Sequence, residues 1–120
     1  MSPRAIALSM SLAAVACFPD SGKSISPQAR KDAQKVWKER CSTCHGLSGH
    51  GDGPQARYLE VKPRRLSDRA WKESVTDEHL RKVIVEGGPS VGLNLAMAPN
   101  PDLGSRPEVL EALIAHVRRL

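Results

Sequence analysis

Hydrophobic and polar positions along the chain fall into a helical rhythm in three places. From Ser26 onward, Ala29, Ala33, Val36 and Trp37 recur at the steps of a buried helical stripe, while Lys31, Lys35, Lys38 and Glu39 lie off it. Ser26-Pro27 reads as an N-cap followed by proline at the first helical position, so the spacing predicts a helix to about Arg40 or into Cys41. A second stripe is Leu80, Val83 and Ile84. Thr76 is its predicted N-cap, Asp77 and Glu78 suit the positive end of the helix dipole, and Gly87-Gly88-Pro89 ends it. The third stripe, Val109, Leu110, Leu113, Ile114, Val117 and Leu120, belongs to a helix starting near Ser105 with Pro107 in its first turn.

The segments between these stripes read as loops. Gly46 to Pro54 holds four glycines and a proline, and a short helical turn is predicted from Gln55 to about Glu60. Pro63 to Asp68 is irregular, and a long loop leads to Gly104. No stretch alternates with the two-residue period of a strand, and no internal repeat is visible. The expectation is an all-α domain with three main helices and a short one.

The beginning of the chain follows a different pattern. Arg4 precedes an apolar run from Ala5 to Ala16, far short of the ~20 residues a permanent transmembrane helix needs. Residues 1–16 therefore read as an export signal that is removed. Ala14-Val15-Ala16-Cys17 suits two fates: it resembles a bacterial lipobox that would lipidate Cys17, with Ala14 where Leu is usual, or it is an ordinary cleavage region. Lipidation gives an otherwise odd cysteine a use. Residues 17–25, with Pro19, Gly22 and two serines, then form a flexible tether to a domain at 26–120.

Composition narrows the choice of partner. The 120 residues are one domain's worth, with a formal net charge of +5. Loss of residues 1–16 removes Arg4 alone among the charged side chains, and two carboxylates on a cofactor would bring the remainder to roughly +2. Nucleic acid is not implied. Such a surface suits steering toward acidic patches on partner proteins, although an ordinary solvated surface explains it equally. One Phe, one Tyr and two Trp make a thin core, which a covalent aromatic cofactor would supplement.

The candidate chemistry lies at Cys41-Ser42-Thr43-Cys44-His45. At a helix end, residues three and four apart share a side, so both thiols and the imidazole can face one planar ligand. Two cysteines at this spacing can add to the vinyl groups of a haem, and the adjacent histidine can meet its iron. A redox-active Cys-x-x-Cys would need a strand–helix setting that is absent here. Zinc would need a second ligand pair, which the scattered His50, His79 and His116 do not make. A plain disulfide leaves His45 unexplained.

For the other axial position, Met97 is the one methionine beyond the signal. It lies in Leu95-Ala96-Met97-Ala98-Pro99-Asn100-Pro101, where two prolines reduce the entropy gained if the loop swings away.

With Cys41, Cys44, His45 and Met97 in these places, residues 27–120 resemble a class I c-type cytochrome. Trp37, four residues before the first cysteine, stands where that family has an aromatic. The stretches from Cys44 to Pro54 and from Gly87 to Gly92 are similar to many bacterial monohaem members. The resemblance implies one haem c wrapped by the helices, one-electron transfer without catalysis of its own, and Pro63 offering its carbonyl to the far nitrogen of His45. Two departures are visible: Ala33 replaces a small Gly at the crossing of the terminal helices, and His116 replaces an aromatic. Helix packing is the expected role of His116. Arg64, Arg65 and Trp71 are candidates to bond haem propionates, with surface or packing roles as the alternative.

The expected function is thus a periplasmic or membrane-tethered electron carrier with redox proteins as donor and acceptor. The alternatives are the haem subunit of a dehydrogenase or oxidase complex, or a small peroxidase-like enzyme with a labile sixth ligand.

Overall fold

Ser26 starts the first helix as its side chain predicts. Its backbone is extended, and its Oγ accepts the Ala29 N–H at 3.2 Å, with Pro27 at the first helical position. This is a computed structural model describing residues 24–120; the predicted signal, Cys17 and the tether up to residue 23 lie outside the described residues. Helix α1 (Pro27–Val36) buries Ala29, Ala33 and Val36. The chain does not leave the helix near Arg40. It widens into a π-helical turn over Trp37–Cys41, closed by the Ser42 N–H on the Trp37 carbonyl, and continues as α2 (Ser42–His45). Gly46, with φ at 79°, ends it. The cysteine motif therefore lies on helix, beyond the predicted end, because a widened turn leaves no mark on the periodicity of side chains.

Two separate helices follow. Asp68 caps α3 (Arg69–Ser74) by accepting the Trp71 N–H at 3.3 Å, a helix that the side-chain pattern did not announce. Thr76 caps α4 (Asp77–Glu86), where it accepts the His79 N–H at 3.1 Å, as predicted. Gly87 ends α4 at φ 85°. The short helix expected from Gln55 to Glu60 is a single 3-10 turn, Ala56–Tyr58. The long loop contains two more such turns, Gly88–Val91 and Pro101–Ser105.

The last helix, α5 (Pro107–Arg119), packs on α1 and buries Val109, Leu110, Ala112, Leu113, Ile114 and Val117. Burying a side chain of Leu113's size is worth ~1.5–3 kcal/mol. The small Ala29 and Ala33 belong to the same core and let the backbones approach. His116 meets Trp37, ring centroids 4.6 Å apart, which bears out its packing role. Leu66 and Leu103, both on connecting segments, complete the core, and Leu103 is fully buried. Polar bonds staple α1 to the start of α5: Ser26 donates to Glu108 at 2.7 Å and Arg106 to Asp32 at 3.0 Å. Arg118 reaches Asp77 at 2.7 Å and the carbonyls of Lys72 and Val75, latching α5 to the α3–α4 junction. The described residues are all-α, and none of their helices is long and apolar enough to cross a membrane.

Candidate functional site

The widened turn decides which way the motif faces. In an unbroken α-helix Cys41 would follow Trp37 on the same stripe. The π turn carries an extra residue, so Ser42 comes to lie beneath Trp37 instead. Trp37 is 4% exposed and Ser42 7%, and the Ser42 hydroxyl is satisfied by donating to the Lys38 carbonyl at 3.0 Å. Cys41, Cys44 and His45 are left only half-buried, with Cys41 at the edge of the core. No disulfide joins the two cysteines. Burial pushes the Cys41 thiol up to about 11, against the pull of neighbouring Arg40, so it stays protonated at neutral pH.

The glycine loop behind the motif is a strap. Gly51, Gly53 and Gln55 donate their N–H groups to the carbonyls of His45, Cys44 and Thr43 at 2.8, 3.0 and 2.8 Å. These are the carbonyls a helix end leaves without partners. The donors of the strap are thus spent on the helix end. A Cβ on Gly53 would lie 2.4 Å from the carbonyl oxygens of both Ser42 and Thr43, so no larger residue fits that approach.

His45 is oriented by the backbone across the strap. Its Nδ1 lies 2.9 Å from the carbonyl of Arg64. A carbonyl only accepts, so Nδ1 holds the proton and Nε2 keeps its lone pair. Burial lowers the pKa of the ring, with the Arg64 bond acting in the opposite direction, and the imidazole is neutral at pH 7. The partner expected from the resemblance was Pro63. Its carbonyl instead faces Gly51, whose Cβ position is 2.7 Å away, and the next carbonyl along is the one turned to His45.

Met97 stands apart, on the loop after α4. The Gly88 N–H donates to its carbonyl at 2.8 Å, its own N–H donates to the Asn94 carbonyl at 3.2 Å, and Leu93 donates to Gly88 at 2.9 Å. These bonds close the loop on the C-terminal end of α4. Met97 is half-buried, and no hydrogen bond joins it to Cys41–His45.

The remaining candidates have local roles. The Arg64 guanidinium pairs with Asp68 at 2.9 Å and lies 5.2 Å from the centroid of the Trp71 ring. Arg65 donates to Ser67 at 3.1 Å, and His50 is exposed. Two contributors escaped the sequence, the Arg64 carbonyl and the buried Ser42. Neither a backbone carbonyl nor a one-residue register shift has a side-chain signature.

The donor set fits a haem better than a bare metal ion. Among the described residues no three His, Cys, Asp or Glu side chains gather to hold an ion. Two cysteines unjoined by a disulfide and a neutral, oriented imidazole on one helix end match what haem c attachment requires. Tyr58, Val61, Leu93 and Leu95 are exposed on the segments after the motif and around Met97, Leu95 by as much as 81%. Apolar side chains in such number on these segments suit an apolar macrocycle.

No curated protein matches the chain. The family described as cytochrome c oxidase, cbb3-type, subunit III matches it over residues 28–117, from the first turn of α1 almost to the end of α5. With its helical fold and its Cys-x-x-Cys-His helix end, the chain belongs to this family, a c-type cytochrome that uses covalent haem c for electron transfer.

Proposed function

We propose that residues 26–120 form a one-electron carrier in which Cys41 and Cys44 hold a single haem c and His45 and Met97 are the axial ligands of its iron. The observation that carries the reading is the 2.9 Å bond from His45 Nδ1 to the Arg64 carbonyl, which leaves Nε2 as the basic nitrogen. When bound, the haem supplies reversible exchange between ferrous and ferric iron. The thiols tether it, the Arg64 carbonyl fixes the tautomer and orientation of His45, and the loop bonded to Gly88 presents Met97 while limiting water.

Replacing Met97 by Ala tests the ligand assignment. The near-infrared band of a Met–iron bond should vanish, the potential should fall, and carbon monoxide should bind the reduced protein readily. An unchanged potential would mean that another residue closes the iron, and ready carbon monoxide binding by the parent protein would favour the peroxidase-like alternative.

The same reading assigns residues 1–16 to an export signal and 17–25 to a tether, with the domain on the periplasmic side and Cys17 lipidated. Mass spectrometry of the mature amino terminus tests it; a terminus beyond Cys17 would remove the anchor. Exposed Lys31 and Lys35, one turn apart on α1, with Lys38 beyond them, suit a redox partner bearing acidic patches. A second reading, a subunit of a respiratory oxidase complex, is favoured by the name of the matched family. Co-purification of the native protein with an oxidase would select it over a free shuttle.

A further inference from the structure

The helix that carries the cysteines and the loop that carries Met97 are joined directly by one side chain. Arg40, immediately before Cys41, donates to Asp102 at 2.8 and 3.1 Å and to the Asn100 side-chain oxygen at 3.3 Å. Among the described residues these are the polar bonds that link α1–α2 to the segment from Gly92 to Asp102. The other two staples, Ser26–Glu108 and Asp32–Arg106, reach only the start of α5.

Asn100 is the far anchor of that link. Its N–H donates to the carbonyls of Ile84 and Val85 at 3.1 Å each, and its Nδ2 donates to Ile84 at 3.1 Å. It therefore pins the exit of the loop to the end of α4, while Gly88 pins Met97 itself. Only Ala98 and Pro99 separate Met97 from Asn100, and the proline stiffens that short connection. A force on Asn100 and Asp102 thus acts on the backbone of Met97 with little slack.

We propose that Arg40, through Asn100 and Asp102, is a positioning residue that holds the Met97 loop against the haem-attachment helix and so keeps the thioether on the iron. The proposal rests on Met97 being the second axial ligand. An exposed ion pair adds little to global stability, so the effect of this one is expected in the local opening of the loop.

Imidazole, titrated into the ferric holoprotein, measures that opening because it binds only where the thioether has left. Arg40→Gln and Asp102→Asn are each expected to raise imidazole affinity about threefold, and the double variant no further. Hydrogen exchange at the Asn100 amide should quicken in step. Asp102→Asn leaves the attachment helix itself unaltered, so it reports even if Arg40→Gln impairs haem attachment. Arg69→Gln, which breaks an unrelated exposed pair with Glu73, should leave the affinity unchanged. Met97→Ala separates the two ideas. If it fails to raise imidazole affinity, the ligand reading falls. If it succeeds while Arg40→Gln and Asp102→Asn leave affinity and exchange at parent values, the positioning role is overturned, even if both variants melt earlier.

Discussion

The two halves of the site are held by different physics. Cys41–His45 sits on a helix end whose register is locked by burial of Trp37 and Ser42, and whose last carbonyls are capped by three backbone donors from the glycine strap. Met97 sits on a loop of 3-10 turns and exposed leucines, tied to α4 mainly by backbone bonds. The first half can move only if the core moves. The second can open while the α1–α5 packing stays intact. Under the proposed ligation a carrier would benefit from that division, with covalent attachment on the rigid half and a weak thioether bond tuned on the other.

Breaking the rigid half should cost most. Gly53→Ala would force a Cβ against the carbonyls of Ser42 and Thr43, lifting the strap from the motif. The expected loss is about 3 kcal/mol, read as a lower thermal midpoint together with a lower yield of attached haem. A midpoint near that of the parent protein would mean that the strap does not brace the helix end.

The matching change in the other half is Gly88→Ala, whose Cβ would fall 2.2 Å from the Asn94 carbonyl oxygen. Here the near-infrared Met–iron band should be lost while the thermal midpoint falls less than in Gly53→Ala, because the loop can yield locally. Equal losses of midpoint in the two variants would erase the comparison.

The smallest effect is expected at the core edge, where His116 meets Trp37. Burial lowers the pKa of His116, and the charge of Arg119 lowers it further. The folded protein therefore resists protonating it. Its contribution to stability is fully present above the ordinary histidine value, about 6.5, and is lost as pH falls from there through the lowered folded value. Between pH 7 and 5 the parent holoprotein should lose more of its thermal midpoint than His116→Phe does. Parallel pH profiles would show that His116 is not the group responsible.

Much of this molecule was legible because the signals are local. Ser26, Thr76, Pro27, Pro107 and Gly87 mark helix ends through bonds and dihedrals within a few residues, and the stripes of α1 and α5 follow from a 3.6-residue period. The Cys-x-x-Cys-His spacing is equally local, which is why the sequence alone sufficed to identify a haem c motif and an all-α fold. Other features depend on where distant chain segments come to rest. Arg64 rather than Pro63 meets His45 because the carbonyl of Pro63 is turned to Gly51. Leu66 and Leu103 are buried although they lie in loops without periodicity. The π turn shifts the motif by one residue so that Ser42 is buried while Cys41 stays half-buried at the core's edge. The Arg40–Asp102 bond spans 62 residues of chain. Short-range propensities determined the elements and the chemistry they carry; only packing, which acts between residues far apart in the chain, decided which way that chemistry faces and what holds it there.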